Sequence, residues 1–189
     1  MSELRDLILE NVVFTMLPKA RQGDILGFDF LDLYVGYALL LPELLLPDKV
    51  AFLTQKAKEA SGITDEELMN ASNTNTRKNM IITDMDEILN PFPRVGGIES
   101  KIIVITNEKS TYGASAMLFP DVLRTIGKDF YIIPSSVHEI IIPLFKEATP
   151  SLLKEIVRSI NTDKSIISDK EFLGNNIYHF NGSRVSIVE

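Results

Sequence analysis

Two serines, a histidine and a glutamate lie close together in the stretch YIIPSSVHEIIIP, residues 131–143. Ser135, Ser136, His138 and Glu139 are residue types that hydrolases use for acyl transfer, with serine as the nucleophile and histidine as its base. Neighbouring side chains on a strand point to opposite faces, however, so His138 and Glu139 are expected to diverge. We therefore favour a structural turn, place a functional surface second, and keep catalysis as the remaining alternative.

Motifs that would complete a catalytic site are missing from the sequence. It has no GxSxG elbow, and HEIII lacks the second histidine of a zinc protease. With His179 as the only other histidine and no cysteine, the chain offers poor zinc ligands, so neither a metal nor a cofactor is expected. The carboxylates of DMDE, residues 84–87, fit an acidic helix N-terminus better than a calcium loop.

A second candidate site is the turn predicted from Asn107 to Gly113. Glycine would let the backbone of this loop approach a ligand closely, and a helix beginning at Ala114 would offer free amides to an anion. The glycine spacing of a phosphate-binding loop is absent. A tight turn with Tyr112 packed over it is favoured, and a ligand or partner surface that includes Asn107, Tyr112 and Gly113 is the alternative.

The composition narrows the possible classes of function. The chain has 189 residues, a formal net charge of -7 and an isoelectric point of about 4.9. Such a charge repels phosphate backbones and anionic lipids, which disfavours direct binding to nucleic acid or to a membrane. The lack of cysteine fits a reducing compartment, and charges interrupt the apolar residues of the N-terminal segment. We expect a soluble, cytoplasmic protein.

Acidic residues are concentrated in one part of the chain. From Asp24 to Asp48 there are five acidic residues and neither lysine nor arginine. Aromatic residues are interleaved with them, namely Phe28, Phe30, Tyr34 and Tyr37. A solvated acidic face is the favoured interpretation. The alternative is a surface for a basic partner protein, with Asp24 and Asp48 as candidate contacts.

Hydrophobic spacing predicts mixed elements in the first half of the chain. A helix that carries Leu4, Leu7 and Ile8 on one face precedes a strand over residues 11–17. The apolar run over residues 28–41 is favoured as one strand, with a buried helix as the alternative.

A strand over residues 50–54, a helix over 55–61 and a second helix follow. The second helix begins at a capping box, Thr64 to Glu67, and extends to about Ala71. Residues 72–79 are predicted to form a polar loop.

The second half alternates strands and helices more clearly. Strands are predicted over residues 101–106, 130–133 and 139–143, and helices over 114–126 and 149–160. The Asn181-Gly182 pair predicts a type I′ turn in a C-terminal β-hairpin. This mixture indicates a single α+β domain over residues 1–189, with helices packed on a mixed or mainly antiparallel sheet.

Several segments together resemble a known family. The most specific are YGASAMLFPDVL, residues 112–123, and IIPSSVHEIIIP, residues 132–143, with GITDEELMNASNTNT, residues 62–76, in addition. Over nearly the whole chain they resemble the bacterial domain of unknown function DUF5688 and, more distantly, the YtpQ-like family. The resemblance implies a cytoplasmic bacterial protein from a family with no established activity.

Two functions of different classes are consistent with the sequence. The first is a non-catalytic interaction or regulatory protein that binds a partner of basic character through the acidic segment and the surface of Tyr112 and His138. The second is a hydrolase that uses Ser135 or Ser136 with His138. The missing motifs favour the first.

Overall fold

The computed structural model describes residues 2–41, 50–85, 101–163, 165 and 167–189. The chain divides into two compact units, Met1–Asn79 and Met80–Glu189. Each unit combines helices with an antiparallel sheet, so the α+β fold expected from the sequence is confirmed. The single domain over residues 1–189 stays a prediction, and Asp48 lies outside the described residues, as do positions 86 and 87 of the DMDE segment.

The first unit packs its helices with a sheet centred on one strand. Its helices are α1 (Ser2–Asn11), α2 (Gln55–Ser61) and α3 (Asp65–Lys78), with a 3-10 helix at Lys19–Arg21. Its strands are β1 (Val12–Pro18), β2 (Gly27–Phe30), β3 (Leu33–Leu40) and β4 (Val50–Phe52). β3 pairs antiparallel with each of the other strands, and β1 and β2 lie on either side of it.

The apolar run expected to form one strand is a hairpin of two strands. β2 and β3 are joined by Leu31 and Asp32, because Phe30 pairs directly with Leu33. Leu31 has a φ of +55°, a region that leucine rarely adopts. The turn contains neither the glycine nor the asparagine that usually indicates a two-residue hairpin turn, so no local signal in the sequence predicts it. The preference for strand over buried helix is confirmed.

The predicted capping box at the start of α3 is confirmed. The Thr64 hydroxyl accepts a hydrogen bond from the Glu67 amide at 3.2 Å, and the Glu67 carboxylate accepts one from the Thr64 amide at 3.0 Å. The Arg5 guanidinium also contacts this carboxylate. The hydrogen bond from Arg5 and those from Thr64 lower the pKa of Glu67 from 4.5 to about 2.

The predicted polar loop over residues 72–79 is wrong, because α3 continues to Lys78. Serine, threonine and asparagine are weak helix formers, but here Asn75 and Thr76 bond to the end of α1 and to the outer edge of β1. The Asn75 amide group donates to the carbonyls of Leu9 and Val12, both at 2.9 Å. The Thr76 hydroxyl accepts from the Phe14 amide at 2.9 Å. Tertiary hydrogen bonds thus favour the helix where propensity does not.

The second unit is built on a six-stranded antiparallel sheet. Its strands are β5 (Met80–Asp84), β6 (Ile102–Asn107), β7 (Phe130–Ser136), β8 (Glu139–Pro143), β9 (Tyr178–Phe180) and β10 (Val185–Ile187). Its α-helices are α4 (Pro120–Ile126) and α5 (Pro150–Thr162), and a 3-10 helix spans Gly113–Leu118. The sheet order is β10-β9-β7-β8-β6-β5. β5 was not predicted, and two of its apolar residues, Ile81 and Ile82, are exposed.

Helix α5 is the amphipathic helix that the sequence predicted. The Thr149 hydroxyl accepts from the Leu152 amide at its start, and Pro150 occupies the first turn. Leu153 and Val157 are buried in a cluster with residues of the sheet. Within the described residues, no helix is long and apolar enough to cross a membrane.

The C-terminal hairpin of β9 and β10 is confirmed, but its predicted type I′ turn is wrong. Phe180 pairs with Val185, so four residues connect the strands. Gly182 has a φ of +85°, whereas Asn181 does not adopt a positive φ. The Asn181 carboxamide oxygen instead accepts hydrogen bonds from the amides of Ser183 and Arg184 at 3.1 and 3.0 Å. The side chain thereby stabilises a longer loop.

Two buried threonines of the first unit should respond in opposite ways to the same isosteric change. Thr76→Val removes the acceptor that the Phe14 amide uses, and we expect it to lower the free energy of unfolding by about 1–3 kcal/mol. The Thr15 hydroxyl is buried without a hydrogen-bond partner among the described residues, so Thr15→Val should be neutral or stabilising. Urea unfolding of both variants measures the difference. Equal destabilisation by the two changes would contradict this account.

Candidate functional site

The serine and histidine residues lie where β7 turns into β8. Ser135 and Ser136 end β7, His138 lies in the turn, and Glu139 begins β8. β7 continues beyond its predicted end at Ile133, so the two serines belong to a strand and not to the turn that we expected. Because Ser136 pairs with Glu139, the turn itself consists of residues 137 and 138.

The sheet brings the second candidate site next to this turn. β6 and β8 are antiparallel neighbours, and Ile105 pairs with Ile140. Continuing this register beyond the paired residues places position 107 opposite position 138. The segment that follows β6 must therefore pass close to the His138 turn. As a result, the structure brings together four candidate residues: Asn107, Tyr112, Gly113 and His138.

Both nitrogens of the His138 ring face other groups of the protein. Nδ1 accepts a hydrogen bond from the Tyr112 amide at 3.1 Å. Nε2 lies 3.7 Å from a carboxylate oxygen of Glu171. In a neutral imidazole with an accepting Nδ1, the proton is on Nε2. This tautomer has no lone pair left with which to take a proton from a serine.

The serine hydroxyls bond to partners other than the imidazole. Ser135 donates to the Glu139 carboxylate at 3.2 Å. Ser136 is buried, and its oxygen accepts from the backbone amide of His138 at 3.0 Å. These contacts are typical of a side-chain-supported turn and differ from those of a nucleophile and its base.

Gly113 is required by close packing of the backbone. The His138 carbonyl accepts hydrogen bonds from the Gly113 amide and from the Thr106 hydroxyl, both at 2.9 Å. A Cβ atom on Gly113 would lie 2.6 Å from that carbonyl oxygen and 2.7 Å from the Thr106 Cα. The sequence suggested this glycine as a point of close approach to a ligand, whereas the group that approaches it is the backbone of the same chain.

Residues 108–112, which we call the Tyr112 loop, contain unfavourable backbone conformations. Ser110 and Tyr112 have φ values of +48° and +58°. Such conformations cost about 1–3 kcal/mol each and persist only when the surroundings fix them. Here Asn107, which is buried, binds the loop from beneath: its oxygen accepts from the amides of Lys109 and Thr111 at 3.0 and 3.1 Å. Its amide group donates to the Thr111 carbonyl.

The outer surface of this cluster is aromatic and acidic. The half-buried rings of Tyr112 and His138 meet edge to face, with their centres 5.4 Å apart. The Glu139 and Glu171 carboxylates raise the pKa of His138, but burial of the ring has the larger effect and lowers it. Hydrogen bonds from Ser168 lower the pKa of Glu171, so this carboxylate stays charged.

The remaining candidate residues are placed differently. Asp24 is exposed in the first unit, shortly before β2. Sequence reasoning missed Thr106 and Glu171, both of which contact His138. No local signal identifies them, because each becomes a neighbour only when the sheet forms. Across the residues that the structure describes, no three His, Asp or Glu side chains gather in a way that could hold a metal ion.

The stability of the second unit should fall in acid because of His138. Burial lowers the pKa of His138 below 6.5 in the folded protein, so the unfolded chain binds the proton more tightly. The stabilisation is complete above pH 6.5 and is lost as the pH falls below it. Glu139, Glu171 and the Tyr112 ring are the groups that face this imidazole.

Urea unfolding at a series of pH values from about 7 to about 5 measures this effect. We expect His138→Gln, which cannot titrate, to flatten the acid-dependent decline, whereas His179→Gln should keep the contribution of His138. An unchanged decline in His138→Gln would show that another group causes it.

The segments of this cluster are also those on which the family resemblance was based. Residues 1–182 match the model of a family described as a family of unknown function (DUF5688). No curated protein and no solved structure is significantly similar to the chain. The more distant similarity to the YtpQ-like family stays a prediction. Because the match covers nearly the whole sequence, the chain belongs to the DUF5688 family.

Proposed function

We propose that this protein acts by binding another protein and does not turn over a substrate. The observation that carries the proposal is the hydrogen bond from the Tyr112 amide to Nδ1 of His138. Through this bond, the imidazole of His138, the candidate base, supports the Tyr112 loop. A serine hydrolase needs the same imidazole to accept the proton of its nucleophile. The absence of cysteine supports placing this binding in the cytoplasm.

The Tyr112 loop is suited to be a binding element. Its strained residues are held by Asn107 and His138 before any partner arrives, so little conformational entropy remains to be lost on binding. Tyrosine is also among the residues that most often dominate the energy of protein interfaces. Asn107 and Gly113 are buried, and they therefore support the loop, whereas Tyr112 is partly exposed for contact.

The charge of the chain favours a basic partner. The carboxylates of Glu139 and Glu171 are near the Tyr112 and His138 rings. In the first unit, Asp24 and Asp29 are exposed near the β2–β3 hairpin, and Leu31 at its tip is 38% exposed. Lys19 lies 2.9 Å from Asp29 and offsets part of this charge. Acidic groups around the partly exposed Tyr112 ring and the exposed Leu31 side chain would attract a positively charged protein surface.

The Tyr112 ring should carry much of the affinity. We expect Tyr112→Ala to weaken partner binding by about tenfold or more, and Tyr112→Phe, which keeps the ring, to retain it. The partner is first captured by crosslinking in the native cells, and its association with purified variants is then followed by surface plasmon resonance. Equal binding by Tyr112→Ala and the wild type would exclude the loop as the interface.

Charge should act mainly on the association rate. Asp24→Lys is expected to slow association more than it accelerates dissociation, and added salt should have the same effect on the wild type. Glu155→Lys, an exposed change of the same kind on α5, is the matched control.

The hydrolase remains the alternative, and it requires His138 to release the Tyr112 amide. A screen with esterase and amidase substrates distinguishes the two functions. Activity that disappears in Ser136→Ala or Ser135→Ala and in His138→Gln would replace the binding proposal with the enzyme.

A further inference from the structure

An open cavity of about 380 Å³ lies at the C-terminal end of α5. Its volume is within the range of about 300–1,000 Å³ typical of small-molecule sites. Helix α5 contributes Arg158, Asn161 and Thr162, and the segment after it contributes Asp169, Phe172 and Asn175. None of these residues belongs to the Tyr112 loop or to the candidate catalytic stretch.

Hydrogen bonds hold the two walls of the cavity together. The Asn161 amide group donates to the Gly174 carbonyl at 2.9 Å and to the Asn175 side-chain oxygen at 2.8 Å. Within α5, the Thr162 hydroxyl donates to the carbonyls of Arg158 and Ser159, both at 2.9 Å. Asn161, Thr162 and Asn175 are therefore positioned by the protein itself, which reduces the entropy that a ligand loses in ordering them.

The lining carries charges of both signs, so a singly charged ligand of either sign meets one like charge. Arg158 opposes a cation, whereas Asp169 and the carbonyl end of α5 oppose an anion. A neutral ligand rich in hydroxyl groups meets neither penalty, because each hydroxyl donates to a carboxylate or carboxamide oxygen and accepts from a guanidinium or amide N–H. The Phe172 ring adds one apolar surface to this polar set.

We propose that the cavity binds a small neutral carbohydrate, a mono- or disaccharide. Its hydroxyl groups bond to Arg158, Asp169 and Asn175, and one of its C–H faces packs against the ring of Phe172. Sugars combine both features, since their ring hydrogens form apolar faces while the hydroxyls lie at the edge. None of the lining residues belongs to the proposed protein-binding surface, and the proposal does not depend on that surface.

Nuclear magnetic resonance of the full-length, nitrogen-15-labelled protein tests the proposal. Glucose, galactose, N-acetylglucosamine, maltose and lactose are titrated separately, and the side-chain amide signals of Asn161 and Asn175 are followed. We expect at least one sugar to shift both signals in a saturable manner. Arg158→Gln should weaken that binding about tenfold or more, because it removes charged hydrogen-bond donors. Arg124→Gln, on the exposed surface of α4, is the matched control.

Three results would overturn the proposal. The first is that none of the sugars shifts either signal. The second is that phenylalanine, a zwitterion with an aromatic body, shifts them while the sugars do not. The third is that Arg158→Gln binds the active sugar as tightly as the Arg124→Gln control. The amide spectrum of each variant reports independently whether the protein is folded.

Discussion

The turn at His138 accepts hydrogen bonds through two of its atoms, and the neighbouring segment is shaped by both. Its carbonyl binds the Thr106 hydroxyl and the Gly113 amide, and its ring binds the Tyr112 amide. These bonds fix the beginning and the end of the loop that follows β6. The packing at Gly113 excludes a side chain, and the fixed acceptor of the Tyr112 amide helps to hold Tyr112 at its positive φ. His138, a residue type often found in catalytic sites, thus stabilises the conformation of this loop.

The first unit follows the same physical rule at a different place. β1 lies at the edge of its sheet, where unpaired backbone groups would attract other strands. Asn75 of α3 bonds to the Val12 carbonyl and Thr76 to the Phe14 amide. In both units, a few polar side chains form hydrogen bonds with backbone groups that no neighbouring strand pairs with. These bonds stabilise a helix or loop that the helix and strand propensities of its residues do not favour.

The sequence predicted best where the information is local. The capping box at Thr64, the helix after Thr149 and the strand from Glu139 to Pro143 depend on residues close in the chain, and the structure has all three. The turn at Leu31 and Asp32 carries no turn residue with a positive-φ preference, so it was missed. The second half of α3 was missed because the hydrogen bonds that support it reach β1, more than 60 positions away.

The same distinction applies to the candidate site. Sequence reasoning identified His138, Tyr112, Gly113 and Asn107, because histidine, glycine and turn residues stand out by type. It could not assign the partner of the imidazole, which lies 26 positions away. Pairing of β6 with β8 determines that contact, and strand pairing is not readable from either segment alone. His138, named as a weak catalytic candidate, and Asn107, named as a surface candidate, are both seen to support the loop.

The central claim is that the His138 imidazole is a structural acceptor and not a catalytic base. The most direct measurement is the nitrogen-15 spectrum of the histidine ring at neutral pH, with His179→Gln used to assign the signals. The account predicts a neutral ring with an unprotonated, hydrogen-bonded Nδ1 and a proton on Nε2. A ring with the proton on Nδ1 and a free Nε2, the form a serine nucleophile would use, would contradict it.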